Sequence, residues 1–148
     1  MTGRFVVDAN VLLKLVLPEE YANEAMMLTE RFEENPAIRW FLPEIVKIEV
    51  ANGLWKRVKR KEMTVEKARH AFARVWPVRR IEIVTITEIV DTLFDAAVRT
   101  SHGALYDCAY LALAIQHNAV FVTADRVFYD KALTAGYKDH LLFIADVK

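Results

Sequence analysis

The alternation of apolar and polar positions divides the chain into strands and helices that follow one another in turn. Phe5-Val6-Val7 is an apolar run that ends at Asp8. A short helical pattern from Val11 to Val16 follows, with Asn10 placed to cap it. Pro18 stops that helix or opens the next. Between Glu19 and Phe32, Tyr21, Ala25, Leu28 and Phe32 recur at spacings of three and four, one face of an amphipathic helix. Asn35-Pro36 breaks it, and Ile38 to Leu42 reads as a second strand ending at Pro43. Pro43 to Lys61 is helical in period, through Ile45, Ile48, Leu54 and Trp55. Thr64 caps the next helix, which runs through Ala68, Phe72 and Val75 to Trp76. Ile81 to Ile86 is a third strand, and Thr87 caps a helix from Glu88 to about Arg99. Gly103 separates it from a helix over 104–117. The wholly apolar run 119–122, closed by Thr123, suits a buried parallel strand. Asp125 then opens a helix to Ala135, and Leu141 to Ile144 is the last strand.

Strands alternating with helices in this order predict an α/β fold. The expected architecture is a three-layer α/β/α sandwich around a mostly parallel twisted sheet of about five strands, in one domain over residues 1–148. Apolar residues make up 54% of the chain, which excludes a disordered protein. No apolar run approaches the ~20 residues of a membrane span. Met1-Thr2-Gly3-Arg4 leads into the first strand without a leader-like apolar segment. The one cysteine, Cys108, has no partner for an internal disulfide. Together these predict a soluble cytoplasmic protein.

Net charge is zero but unevenly spread. Residues 55–80 hold 10 Lys/Arg against 2 Asp/Glu, whereas residues 1–54 and 81–148 each hold 5 against 9. One basic segment between acidic ends can meet a polyanion locally, or be a solvated helical face.

Four carboxylates interrupt apolar surroundings, where such groups are rarely buried unless paired. Asp8 ends the first strand. Glu49 has Ile45, Val46, Asn52 and Gly53 as helical neighbours. Asp107 lies in the most apolar helix, among Gly103, Ala104, Tyr110 and Leu111. Asp125 follows the fourth strand. Taken singly, Asp8 could be a turn residue, Asp125 a helix cap, and Glu49 an outward-facing charge. A lone buried carboxylate would protonate; four sharing one cavity repel and require a positive charge. A hard divalent cation with oxygen ligands, Mg²⁺ or Mn²⁺, answers that need. Neighbouring parallel strands would bring Asp8 and Asp125 to one crevice, with Asn10 and Thr123 beside them either orienting the ligands or capping locally.

Val6-Val7-Asp8-Ala9-Asn10-Val11-Leu12-Leu13-Lys14, Ile48-Glu49-Val50-Ala51-Asn52-Gly53-Leu54, Tyr106-Asp107-Cys108-Ala109-Tyr110-Leu111-Ala112-Leu113-Ala114 and Val122-Thr123-Ala124-Asp125-Arg126-Val127-Phe128 together resemble the PIN domain, and more narrowly the VapC-type toxins of prokaryotic toxin–antitoxin pairs. The resemblance covers nearly the whole chain with the motifs in order. It implies an endoribonuclease that cleaves phosphodiester bonds with activated water at Mg²⁺ or Mn²⁺, one ion or two. By motif, the catalytic and cation-holding positions are Asp8, Glu49, Asp107 and Asp125, with Asn10 and Thr123 accessory. Cys108 stands where the family commonly has a smaller residue. The resemblance also implies a small antitoxin partner and a homodimer, for which Trp40, Trp55 and Trp76 are either surface or core. Lys56, Arg57, Lys59, Arg60, Arg79 and Arg80 then become candidate RNA contacts. His70, His102, His117 and His140 fall in no motif and are expected to be structural or surface residues.

Three other readings compete. A housekeeping PIN nuclease of RNA maturation would use the same site. A non-catalytic RNA- or protein-binding module would have lost acids that this chain retains. An aspartyl-phosphate phosphatase of the haloacid-dehalogenase kind also starts from a strand ending in Asp, but wants a second Asp where this chain has Asn10.

Overall fold

The computed structural model describes residues 3–77 and 79–148; Met1 and Thr2, ahead of the first strand, and Val78, within the basic segment, lie outside them. Among the described residues five strands form one all-parallel sheet: β1 (Arg4–Val7), β2 (Arg39–Pro43), β3 (Glu82–Val84), β4 (Val120–Thr123) and β5 (Leu141–Phe143), in the spatial order β3-β2-β1-β4-β5. The described helices are α1 (Ala9–Leu13), α2 (Ala22–Glu34), α3 (Val46–Lys59), α4 (Val65–Arg74), α5 (Ile86–Thr100), α6 (Leu105–Gln116) and α7 (Arg126–Thr134). The α/β sandwich expected from the alternation is therefore present. Among the described residues no helix is long and apolar enough to cross a membrane.

The chain steps from β1 to β2 to β3 in one direction, then returns to place β4 on the other side of β1. Helices α1–α4 pack against one another, and α5–α7 against one another, the arrangement that right-handed crossovers on the two faces of the sheet require. The reversal makes a switch point between β1 and β4, whose carboxyl ends open the crevice where α/β folds bind ligands. α6 lies across β1, β2 and β4, which explains its apolar sequence: every residue from Cys108 to Ala114 is buried. The core is close-packed around Tyr110 stacked on Phe121, with centroids 5.5 Å apart, and Phe32 stacked on Trp40 at 4.5 Å.

Several local boundaries differ from the sequence expectation. Asn10 does not cap the first helix: that helix begins at Ala9 behind Asp8, and Asn10 lies inside it. Thr85, not Thr87, caps α5, because the third strand ends two residues early. Thr85 and Glu88 there form a reciprocal capping box. Thr64 caps α4 as expected, accepting from the Lys67 amide at 3.2 Å. Trp40 is core, Trp55 is exposed and Trp76 is half-buried.

Candidate active site

Asp8 sits at the carboxyl end of β1, on the central strand, and is 2% exposed. Strand pairing sets its neighbour. Val7 lies opposite Val122, so the next step brings Asp8 beside Thr123, with the Asp8 amide donating to Val122 O at 3.0 Å. Thr123 Oγ1 donates to Asp8 Oδ2 at 2.7 Å and accepts from the Asp125 amide at 3.1 Å. Asn10 Oδ1 accepts from the Ala124 amide at 3.2 Å. Two side chains thus tie the turn after β4 to the end of β1.

Burial pushes the Asp8 carboxyl up to about 8; the charges of Asp107 and Glu49 push the same way, and the Thr123 hydroxyl opposes them. Glu49 comes from the first turns of α3, which passes close to α1: a Cβ on Gly53 would stand 2.3 Å from Leu13 Cδ1. Burial raises the Glu49 carboxyl as well, partly offset by Tyr110. Glu49 Oε1 and the Tyr110 hydroxyl are both buried, and neither makes a hydrogen bond of regular geometry among the described residues.

Asp107 is less buried than its apolar helix suggests. It lies in the first turn of α6, where the helix dipole favours a carboxylate, with its side chain 23% exposed. Desolvation raises it, His102 lowers it and Asp125 raises it again. Asp125 does cap α7, its Oδ1 accepting from the Phe128 amide at 3.0 Å. The carboxylates of Asp8, Glu49, Asp107 and Asp125 thus form a chain of mutual repulsion at the switch point.

His102, expected to be a structural or surface residue, meets the site. Its Nε2 lies 2.9 Å from Asp107 Oδ2, its ring packs edge-on to Phe128, and Lys131 Nζ is 3.5 Å from Nδ1. Lys131 can only donate, so Nδ1 accepts and Nε2–H faces the carboxylate. The sequence carried one signal for it: a histidine five residues ahead of Asp107, in a loop whose course was not legible.

The basic segment splits. Arg57 is held by Glu19 at 2.6 Å and Glu62 at 2.9 Å. Arg79 packs its guanidinium 4.4 Å over the Phe32 ring and donates to Phe32 O, Asn35 O and Ile38 O, closing the end of α2. These two arginines serve the fold. Lys56, Lys59, Arg60 and Arg80 are exposed, and among the described residues none of them makes an ion pair.

The donor set suits a hard cation: carboxylate oxygens that repel each other, with Glu49 Oε1 buried and without a hydrogen bond of regular geometry among the described residues. Among the described residues no three His, Cys, Asp or Glu side chains are gathered tightly enough to ligate one ion as they stand. His102 engages only Oδ2 of Asp107, and the Phe128 amide only Oδ1 of Asp125.

A family model described as the PIN domain matches residues 5–133. The chain belongs to the PIN domain family. This PIN domain is 28% identical over 130 residues to ribonuclease VapC3 of Pyrobaculum aerophilum, covering 86% of the chain and 94% of that protein. Its fold is also that of PAE2754 from the same organism, at a TM-score of 0.64, 19% identity and coverage of 96% and 84% of the two chains. VapBC2 of Rickettsia felis, solved with a promoter DNA fragment, matches at 0.65 and 14% identity, covering 95% and 96%.

Proposed function

We propose that this PIN domain is an endoribonuclease dependent on Mg²⁺ or Mn²⁺, and the toxin of a toxin–antitoxin pair. The observation that carries the reading is Asp8: a carboxylate buried at the switch point, fixed by Thr123 and crowded by the charges of Glu49 and Asp107. Its likeness to a VapC ribonuclease supports the substrate, and its fold likeness to a VapBC complex supports a small antitoxin partner. Exposed Phe94 and Val98 on α5 suit a homodimer contact, and a buried free Cys108 suits a reducing cytoplasm.

Asp8, Glu49, Asp107 and Asp125 would hold the cation, which on binding supplies charge neutralisation at the scissile phosphate and lowers the pKa of an attacking water. Thr123 fixes the Asp8 carboxylate, Asn10 anchors the turn that carries Asp125, and His102 orients Asp107. Asp8 is a poor candidate for a phosphatase nucleophile, since it is buried and its Oδ2 is engaged by Thr123.

Incubation with total RNA in Mg²⁺ or in EDTA, followed by mapping of the new ends, tests the nuclease. Cleavage only with the cation, abolished in Asp8→Asn and Asp107→Asn proteins of unchanged fold, is expected. Retained cleavage by either variant refutes the site. Growth arrest on expression, relieved by the neighbouring small reading frame, separates a toxin from a housekeeping nuclease.

A further inference from the structure

The groove beside Glu49 carries aromatic side chains that the carboxylate site does not use. On α3, Ile48, Asn52, Trp55 and Lys59 follow one another at successive turns and form one stripe. The adjoining stripe carries Glu49, Lys56 and Arg60. Tyr106, beside Asp107 in the first turn of α6, joins Ile48, Glu49, Asn52 and Trp55 in lining a cleft of about 440 Å³. Ile48 is 67% exposed, Trp55 53% and Tyr106 60%. Large side chains exposed together around one cleft mark an interaction surface more than scattered singles do.

We propose that this groove binds single-stranded RNA running along α3, with bases stacked on Trp55 and Tyr106 and phosphates held by Lys56, Lys59 and Arg60. The proposal rests on the nuclease reading and deepens it, by assigning the surface that selects unpaired nucleotides next to the cut. Charge chooses the occupant. Past the aromatic cleft, Lys56 and Lys59 in the last turn of α3 and Arg60 at its C-cap make no ion pair among the described residues, whereas Arg57 on the same helix is neutralised by Glu19 and Glu62. An apolar protein segment laid on this stripe would leave those cations without partners; a polyanion satisfies them. Aromatic faces accept any base, and a duplex hides base faces inside its stack. The helix rises roughly 9 Å from Glu49 to Trp55. That distance places the platform a nucleotide or two from a phosphodiester lying at Glu49 and Asp107.

The test uses the full chain in an Asp8→Asn background with EDTA and a fluorescein-labelled RNA dodecamer, single-stranded or duplexed. Cleavage of the same RNA in Mg²⁺ is followed in parallel with Asp8 intact. Single-stranded RNA is expected to bind in preference to duplex. Trp55→Ala and Tyr106→Ala each weaken binding roughly tenfold, and Trp55→Phe restores most of it. The salt dependence is unchanged in Trp55→Ala, whereas Lys59→Gln reduces its slope by about one. Melting temperatures stay at the parent value, because both aromatic side chains are exposed. If the protein with Asp8 intact cuts RNA while Trp55→Ala and Tyr106→Ala bind and cut like their parents, the groove proposal is overturned and the nuclease reading stands. If the parent neither binds nor cuts RNA, the nuclease reading falls and takes the groove with it. Unchanged RNA affinity with a dimer that dissociates in Trp55→Ala assigns the surface to a second copy of the chain, and also overturns the proposal.

Discussion

His102 Nε2 stands 2.9 Å from Asp107 Oδ2, so a residue outside every motif grips a carboxylate at the heart of one. The contact lowers the Asp107 pKa against the push of burial, and holds the carboxylate in one orientation. Removing it in His102→Ala is expected to weaken Mn²⁺ binding by roughly 10- to 100-fold, read by calorimetry, with RNA cleavage falling in step. His102→Gln, which keeps a donor, recovers part of the loss. Unaltered Mn²⁺ affinity in His102→Ala would reduce His102 to a packing partner of Phe128.

Thr123→Val removes the one hydroxyl that donates to the Asp8 carboxylate while keeping the shape of the strand. Leaving a buried acceptor unmatched costs about 1–3 kcal/mol. Chemical denaturation of the cation-free protein should show a loss of that order. Divalent-cation affinity should fall as well, because the Asp8 carboxylate is no longer oriented. A variant as stable as the parent and equal in cation affinity contradicts the role given to Thr123.

Stability without cation should decline as pH rises. Asp8 titrates near 4 in an unfolded chain and near 8 in the folded one. Between those values the folded state keeps a proton that the unfolded state has released. Stability present below pH 4 is therefore lost progressively toward pH 8, by at most about 1.4 kcal/mol per pH unit. Raised Glu49 and Asp107 carboxyls act in the same direction. Thermal melts in EDTA should drop between pH 5 and 8, and Asp8→Asn should flatten most of the slope. Mg²⁺ or Mn²⁺ at pH 8 restores the melting temperature by binding the ionised carboxylates. A melting temperature that rises with pH in EDTA contradicts the burial argument.

Two arginines of the basic segment should behave unlike their neighbours. Arg79→Ala removes hydrogen bonds to four carbonyls and the stack on Phe32, and is expected to destabilise the fold by about 1–3 kcal/mol without changing RNA affinity. Lys59→Gln with Arg60→Gln should leave stability near the parent, since surface changes of this kind cost little. It should also lower RNA affinity and its salt slope. The reverse pattern would return Arg79 to the RNA contacts and remove Lys59 and Arg60.

The sequence by itself determined the alternation of strands and helices, because apolar periodicity is a local property. It also singled out the four carboxylates, because each interrupts an apolar stretch of the sequence. The order of the strands follows less directly: parallel neighbours are chosen by crossovers, and only the folded sheet shows β4 against β1 with Thr123 next to Asp8. What each charge does was decided by tertiary structure alone. Asp107 proved to be a rim residue at a helix start, held by a loop histidine. Arg57 and Arg79, indistinguishable in sequence from their basic neighbours, are consumed by carboxylates and carbonyls tens of residues away. A long flexible cation takes whichever partner the fold brings within reach, and that reach is a matter of three-dimensional distance, which spacing along the chain does not encode.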